Sequence, residues 1–586
     1  MGGLILAPQA AFAQAVAQVP RPPVSEITLP PGASQITPPT FRPPLEKGPA
    51  AEPTLPGVPP IQAPPGAEKL FVRLGGIKVE GGFPELEAAT RAIEARLATG
   101  KQVSGADIFA AVSELEAAYA RAGFVLARVV LPPQQLNDGA VLRLVVIDGF
   151  IERIEIKNLP ATVRDRISAI VAPLANQPRL TLQEMERRLL LAGDTPGVVL
   201  RSTLAPGATT GGTVLALEAN YQPGNVLVTL DNSLGLSLGT YTLGTGMDVN
   251  SILGLGELVY LRVLGAPRGG NNGFFSEDPL NQTVAAGIVV PIGTDGVTFN
   301  VEGTVARTAP LSSIEALQSI SLFQRLSTRL RYAWLRSRQA NLSVEGVFDI
   351  TNDSQSIVFD GVTVPLSLDR LRVLRANSDG NYFAPWGAFV SGHVSASFGL
   401  TGLGAITAAD ALASGLPLSR QGANANFAKI EANTGYSQPL FGAIDLGLNA
   451  RGQYSFGQAL LRSEQIGIAA PAGLSTFDAG TLQGDSGFVL RTELSRSFEL
   501  PPVLDNVGFV ATPYVFGAVG QIFLLDPTIL EKWSTTAASY GIGLRLNDGV
   551  RGTRSFGSLS LEFGAQQRND GSPTGTRFSI FFAQRL

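Results

Sequence analysis

The side chains that perform covalent or metal chemistry are nearly absent from this chain. It has no cysteine and a single histidine, His393, so thiolate nucleophiles, histidine metal sites and histidine-based triads have almost no residues to use. The carboxylates form no convergent acid–base motif, and no Walker, Rossmann or triad spacing occurs. We therefore predict that the chain is not an enzyme, and we predict no catalytic residues, no metal site and no cofactor.

The charged residues that do stand out alternate with apolar ones. Phe488, Leu490 and Leu494 fall on one face of a strand-like run, and Arg491 and Glu493 fall on the other. A period of two is typical of a strand with different surroundings on its two sides. In an outer-membrane barrel the apolar face meets lipid and the charged face meets a wet lumen. We interpret Arg491 and Glu493 as ordinary lumen-facing residues without a special contact; a gating role is the alternative.

The composition favours a barrel of strands over membrane-spanning helices. The mean hydropathy of the 586 residues is +0.19, only 16% are charged, and 66 are glycine. No run of 18 apolar residues follows the N-terminus, which argues against a transmembrane helix. A net charge of −4 argues against nucleic acid as a partner.

The chain begins with two segments that precede any folded domain. Residues 1–13 are similar to the end of a secretory signal peptide, with "AFA" as the cleavage site before Gln14. Residues 14–68 form a proline-rich linker, because 16 of the 40 prolines lie between positions 20 and 65. We expect an extended, solvated spacer there, with neither helix nor sheet.

Two units of about 75 residues then repeat the order β-α-α-β-β, at 69–148 and 149–221. Residues 222–586 change to short alternating runs separated by Gly, Asn, Asp and Pro. The number of runs predicts about 16 antiparallel strands, enough to enclose an aqueous channel. The last run places Phe578, Ile580 and Phe582 on one face, which is typical of a strand that barrel-assembly machinery reads.

These residues resemble a known family. The repeated units are similar to polypeptide-transport-associated (POTRA) domains, as in "YARAGFVLARVVLPPQQLNDGAVLRLVVIDGFIERIEI". Together with "LTLQEMERRLLLAGDTPGVVLRSTLAPG" and "YAWLRSRQANLSVEGVF", they resemble two-partner secretion transporters (TpsB) of the Omp85 superfamily. The resemblance implies a fold of α+β periplasmic POTRA domains followed by an all-β transmembrane barrel of about 16 antiparallel strands.

The resemblance also implies that a loop between strands 11 and 12, here at about 469–486, folds into the pore. In the family this loop carries a Val-Arg-Gly-Phe/Tyr tip whose arginine meets an aspartate on strand 13. Here the tip aligns with Leu474, Ser475, Thr476 and Phe477, and the downstream element with Gly484, Asp485 and Gly487. The strand-13 counterpart aligns with Phe516, Ala518 and Gly520.

Both members of the expected ion pair are therefore missing, and we expect the loop to be held by something else. Losing both charges is far less costly than losing one. A literal Val-Arg-Gly occurs at Val550, Arg551 and Gly552, but its position predicts a hairpin turn between strands 14 and 15. The family often has an N-terminal helix that plugs the pore, and we find no convincing plug in this sequence.

The implied function is secretion through the Gram-negative outer membrane. A partner exoprotein (TpsA type: adhesin, haemolysin or toxin) would arrive unfolded in the periplasm and dock on an exposed sheet edge. We predict this edge to comprise Phe124, Val125, Leu126, Ala127, Arg128, Val129, Val130 and Leu131. The other expected partners are outer-membrane lipid and the barrel-assembly machinery, and we expect no nucleic acid. The alternative function is an Omp85-type assembly or insertion factor.

Overall fold

The computed structural model describes residues 30–43, 63–312, 317–501, 507–550 and 556–586. The predicted signal-peptide remnant and the Arg551-Gly552 pair lie outside these residues. The chain divides into two compact units, Lys47–Tyr221 and a second unit that joins Met1–Glu46 to Gln222–Leu586.

The first α/β domain is a four-stranded sheet with two helices. Its second helix begins at a capping box, in which the Ser104 hydroxyl accepts the Asp107 N–H at 3.1 Å. Buried side chains of both helices and of the sheet form one core, which includes Leu115, Tyr119 and Leu144. The strands are Phe71–Glu80, Gln102–Ser104, Arg128–Val130 and Ala140–Ile147, and the helices are Glu87–Leu97 and Gly105–Arg121.

The second α/β domain repeats the same plan with three strands. The last strand of this domain lies in the middle of the sheet. It pairs in parallel with the strand that begins at Phe150 and in antiparallel fashion with the strand that begins at Val198. Thr181 caps the second helix by accepting the Glu184 N–H at 3.2 Å. The strands are Phe150–Lys157, Val198–Pro206 and Gly212–Tyr221, and the helices are Ala161–Val171 and Leu182–Gly193.

Within the described residues, sixteen antiparallel strands close into a barrel, and strand 16 pairs with strand 1. This confirms the predicted fold class. In order, barrel strands 1 to 16 are Gly224–Asp231, Thr242–Asn250, Leu258–Gly265, Gln282–Ile292, Val297–Thr308, Leu317–Arg336, Ala340–Phe359, Val362–Phe383, Phe389–Gly399, Ala428–Pro439, Asp445–Tyr454, Ser486–Ser495 (continued by Phe498–Leu500), Val507–Phe523, Ser534–Val550, Phe556–Arg568 and Gly575–Arg585. A short helix, Ala408–Ser414, lies between strands 9 and 10.

The barrel buries its charges and exposes its large apolar side chains. On strand 12, Phe488, Leu490 and Leu494 are between 42% and 47% exposed, whereas Arg491 is fully buried. The same alternation recurs on strand 6, where Leu326 is exposed and Arg325 is buried. This distribution suits a wall with lipid outside and a polar lumen inside.

None of the helices in the described part of the chain combines the length and the apolar character needed to cross a membrane.

Candidate functional site

The loop between strands 11 and 12, residues 455–485, lies inside the barrel. Its base is a two-residue ribbon in which Ile466–Gly467 pairs with Gln483–Gly484. The predicted tip residues, Leu474 to Phe477, are each no more than 3% exposed. The structure therefore places the divergent tip in the lumen, in contact with the wall.

One part of the contact between this loop and the wall is apolar. Ile468, Leu474 and Phe477 pack in one buried cluster with Ala518 and Ile522 of strand 13. The position at which the resemblance expects an aspartate thus lies among hydrocarbon side chains. A carboxylate there would be buried without a partner, so alanine at 518 fits its surroundings.

Glycines on the wall make room for the loop. A Cβ on Gly520 would approach Ile468 Cδ1 to 2.9 Å, and one on Gly564 would approach Thr476 Cγ2 to 2.9 Å. These distances are shorter than carbon–carbon contact allows, so the loop occupies the space that a side chain would need.

The polar part of the contact centres on Arg491. Its Nη1 donates to Ser475 Oγ at 2.8 Å, its Nη2 to Glu562 at 2.6 Å and its Nε to Glu493 at 2.8 Å. The guanidinium carbon also lies 4.1 Å from the centroid of the Phe516 ring. The interpretation of Arg491 and Glu493 as residues without a special contact is therefore wrong.

Arg491 lies directly opposite Ala518 across strands 12 and 13. The arginine that the resemblance expects on the loop is thus on the wall, and the loop contributes the Ser475 hydroxyl. The position of this arginine contact could not be predicted from the sequence. Arg491 and Glu562 are 71 positions apart and meet only when the barrel closes.

Further contacts tie the tip to strands at the other end of the sequence. The Ser579 hydroxyl donates to the Ser475 carbonyl at 3.4 Å, and Arg577 pairs with Asp478 at 3.1 Å. The hydroxyls of Thr476 and Ser539 lie 2.5 Å apart. These bonds connect the loop with strands 14 and 16, in addition to strands 12, 13 and 15.

Asp485, within the predicted Gly484 to Gly487 element, holds the base of the loop. Its carboxylate accepts the N–H groups of Leu460 and Leu525, at 2.9 Å and 2.7 Å. Since Asp485 is fully buried, these charge-assisted bonds fix the point at which the loop joins strand 12.

The N-terminal segment 30–43 is a second structure inside the barrel, and the prediction of a solvated linker without helix is wrong for it. Ala33–Ile36 is one helical turn, and the Ala33 N–H donates to Ser321 Oγ at 3.0 Å. The Ser34 hydroxyl donates to Asp353 at 2.5 Å, and Arg42 pairs with Glu345 at 2.6 Å. The sequence showed no convincing plug, and the structure places this segment in the lumen.

The same segment binds a buried charge cluster on strands 5 and 6. The Phe41 N–H donates to Glu302 at 2.9 Å, while Arg325 and Arg329 donate to the carbonyls of Pro38 and Pro39 at 3.0 Å and 3.3 Å. Proline lacks an N–H but keeps its carbonyl, so a proline-rich run still offers acceptors to arginine. The proline count alone could not reveal this.

The predicted docking edge in the first α/β domain is shorter than expected. Only Arg128–Val130 form a strand, and it lies at one edge of the sheet. Of the preceding residues, Val125 and Leu126 form a turn, and Phe124, Leu126 and Ala127 are buried. The Val129 N–H donates to the Glu116 carboxylate at 3.2 Å, so a helix side chain occupies part of this edge.

The single histidine is paired with a carboxylate of the neighbouring barrel strand. His393 on strand 9 bonds Asp379 on strand 8 at 2.8 Å. Among the described residues, no group of three or more His, Asp or Glu side chains is arranged to hold a metal ion.

Comparison with known proteins decides the family. Residues 211–546 match the model of the haemolysin secretion/activation proteins ShlB, FhaC and HecB, and residues 72–149 match the ShlB-type POTRA domain. The first match covers more than half of the chain. The chain belongs to the haemolysin secretion/activation family.

Relatives and solved structures agree with this assignment. The chain is 26% identical to the haemolysin transporter ShlB of Serratia marcescens over 82% of this chain and 81% of the relative. It is 23% identical to the outer-membrane transporter CdiB of Dickeya dadantii over 67% of each chain. In fold it is similar to CdiB from Escherichia coli, with a TM-score of 0.66, 17% identity and coverage of 95% of this chain and 94% of that one.

This haemolysin secretion/activation protein is therefore an outer-membrane secretion transporter with periplasmic POTRA domains, and not an enzyme. The family transports exoprotein partners of the TpsA type. The alternative of an outer-membrane assembly factor is not favoured.

Proposed function

We propose that this transporter rests closed and opens to pass one unfolded exoprotein, either an adhesin, a haemolysin or a toxin. The observation that carries the proposal is that two separate segments, 30–43 and 455–485, are both bound within the lumen by buried polar contacts. A diffusion pore needs neither. A pore that must stay shut until a client arrives needs contacts that are specific and can be broken.

The first α/β domain supplies the client site in this proposal. Arg128–Val130 present an edge to which an extended chain can add as a further strand. The Glu116 carboxylate holds the Val129 N–H there, so a client must displace it. In this proposal the docking edge is therefore Arg128–Val130, and the rest of the predicted edge Phe124–Leu131 does not take part.

A secretion assay tests the function. The transporter is expressed with the large exoprotein encoded nearest to its gene, and the medium is assayed for that exoprotein. Export that stops when residues 69–219 are deleted, with the barrel still in the outer membrane, supports the proposal. A folded barrel that never exports the exoprotein contradicts it.

The docking edge has a matched pair of variants on one helix. Glu116→Ala removes the side chain that occupies the edge, and we expect the client's secretion domain to bind several-fold more tightly. Glu114→Ala is the control, because Glu114 pairs with Arg96 at 2.5 Å. Equal affinities in the two variants would argue that the client binds elsewhere.

The remaining partners follow from the outer surface of the barrel. Its exposed apolar residues, such as Phe488 and Leu490, support contact with outer-membrane lipid. The alternating last strand, with Phe578 exposed and Ser579 buried, supports insertion by the barrel-assembly machinery. The net charge of −4 argues against nucleic acid as a partner.

A further inference from the structure

The wall holds the N-terminal segment largely by its main chain. Two successive carbonyls, those of Pro38 and Pro39, accept bonds from two arginines, and the N–H of Phe41 donates to a glutamate. Carbonyls occur in every polypeptide, and N–H groups occur in every residue except proline. This arrangement therefore accepts a chain without regular secondary structure and with little regard to sequence.

The wall side of the contact is assembled from groups that also bond one another. Glu302 accepts the Tyr260 hydroxyl at 2.8 Å, Arg329 donates to Asn300 at 2.8 Å, and Arg325 and Arg329 reach Glu302 at 3.4 Å and 3.2 Å. Glu302 is fully buried, and Arg329 is 4% exposed. Because the charges have partners within the set, departure of the segment leaves none of them unpaired. This part of the contact is therefore suited to repeated binding and release.

The segment's side chains add further contacts. The Thr40 hydroxyl donates to the same Glu302 at 3.2 Å, and Arg42 pairs with Glu345. The Phe41 side chain packs with Tyr260 in a small buried apolar cluster. The preferred ligand is thus an irregular peptide with two successive carbonyls, followed two residues later by an N–H on an apolar residue.

We propose that Glu302, Arg325 and Arg329 form a main-chain binding site for the translocating client, and that residues 38–42 occupy it in the resting state as a stand-in. This inference rests on the proposed function. When the client enters, its extended chain displaces the segment and uses the same two arginines and the same carboxylate. A site that binds main-chain groups can bind successive parts of a long client as it passes through the pore.

The test uses the full chain lacking only residues 30–43, reconstituted in planar bilayers, with three synthetic peptides as probes. The first has the sequence of residues 37–43, TPPTFRP. The second replaces its Thr40 with alanine and keeps Arg42, and the third carries an N-methyl group on the Phe41 nitrogen. We expect the first two to block conductance at concentrations within about tenfold of each other, and the third to be weaker by about tenfold or more, the usual loss for a bond to a charged acceptor.

Two outcomes would overturn the inference. If the alanine-substituted peptide fails to block while TPPTFRP succeeds, the segment is a side-chain-specific plug. If the N-methylated peptide blocks equally well, the Glu302 carboxylate does not bind the backbone N–H of the peptide.

A wall variant adds an independent check. Arg329→Gln should weaken block by the first two peptides by about tenfold. Arg451→Gln, which changes a residue whose partners are Glu431 and the Gly467 carbonyl, should leave block unchanged. Arg325→Gln replaces Arg329→Gln if that variant does not fold, and equal block in the arginine variant and the control contradicts the proposal.

The peptide-block experiment and the secretion assay can fail independently of each other. Export of the exoprotein by the intact chain, together with peptides that fail to discriminate, rejects the shared site and keeps the function. Absence of export rejects the function, and with it the client as the ligand of this site.

Discussion

Two centres in the barrel lumen share one plan and hold different segments of the chain. In the first, Tyr260, Gly287 and Glu302 lie opposite one another on strands 3, 4 and 5, and the tyrosine hydroxyl reaches across the glycine to the carboxylate at 2.8 Å. We call this the Glu302 centre, and it binds the N-terminal segment.

The second centre repeats the arrangement on strands 13, 14 and 15. Tyr514, Gly543 and Glu562 lie opposite one another, and the tyrosine–carboxylate bond is again 2.8 Å. We call this the Glu562 centre, and it binds the inserted loop. An aromatic ring over a glycine fixes the tyrosine so that the buried carboxylate always has one donor.

The two centres differ in how the carboxylate reaches its ligand. Glu302 accepts a backbone N–H directly, from the N-terminal segment 30–43. Glu562 acts through Arg491, which donates to a loop hydroxyl, and the loop is also held by an apolar cluster and joined to strands at both ends. The same carboxylate geometry therefore suits exchange in one place and permanent attachment in the other.

The largest effect is expected at the Glu562 centre. Arg491→Leu leaves Glu562 buried without its cation, and breaking a buried pair costs about 3–5 kcal/mol. We expect the free energy of unfolding of the barrel in micelles to fall by about this amount, as measured by urea titration.

The double variant Arg491→Leu/Glu562→Leu is the control for this prediction. It removes both charges and should recover part of the loss, because the unpaired charge carries most of the cost. A double variant less stable than the single one would show that Arg491 acts mainly through packing.

At the Glu302 centre the expected readout is opening. Glu302→Gln replaces a charged acceptor of the Phe41 N–H by a neutral one, which weakens that bond by about 1 kcal/mol. We expect the open state in planar bilayers to become about fivefold more frequent. In a chain lacking residues 30–43 the same substitution should change little, and an equal change there would place the effect outside the segment.

The sequence could predict the parts of this structure that follow from local periodicity. Alternation predicted that Arg491 faces inward and Leu490 outward, and the helix-and-strand order predicted two α/β units. The inserted loop was placed from Asp485 and its neighbouring glycines. Each of these signals lies within about 75 consecutive residues.

The binding contacts could not be predicted, because they join residues that are distant in sequence. Phe41 and Glu302 are 261 positions apart, and Arg491 and Glu562 are 71 apart. Their proximity depends on strand register around a closed barrel, which no local pattern encodes. The proline run misled for a different reason, since a chain without regular hydrogen bonds still presents its carbonyls to a wall.

One glycine substitution at each centre tests whether the tyrosine of the Glu302 centre and that of the Glu562 centre depend on the glycine in the same way. A Cβ at Gly287 would lie 2.4 Å from Tyr260 Cζ, and one at Gly543 would lie 2.3 Å from Tyr514 Cζ. Gly287→Ala and Gly543→Ala should each destabilise the barrel by about 1–3 kcal/mol, because the ring must move. Gly303→Ala meets no atom within 4 Å and serves as the control.

The two glycine variants should differ in conductance although their unfolding free energies are similar. Moving Tyr260 disturbs the carboxylate that binds the N-terminal segment, so Gly287→Ala should open the pore more often in planar bilayers. Gly543→Ala should not, because the loop keeps its apolar contacts. The same increase in both variants would remove the distinction between exchange and permanent attachment.

The smallest effects come from removing one hydroxyl at each segment with an isosteric change. Thr476→Val leaves the buried Ser539 hydroxyl without its partner at 2.5 Å, and we expect a loss of about 1 kcal/mol in the free energy of unfolding, the lower end of the cost of an unpartnered buried hydroxyl. Thr40→Val removes one of several donors to Glu302, which keeps the Tyr260 hydroxyl and the Phe41 N–H, so its loss should be smaller. Urea titration of both variants beside Thr481→Val, whose hydroxyl bonds only a carbonyl of its own exposed turn, measures the difference. A larger loss for Thr40→Val than for Thr476→Val would mean that the N-terminal segment, and not the loop, is the more firmly held of the two.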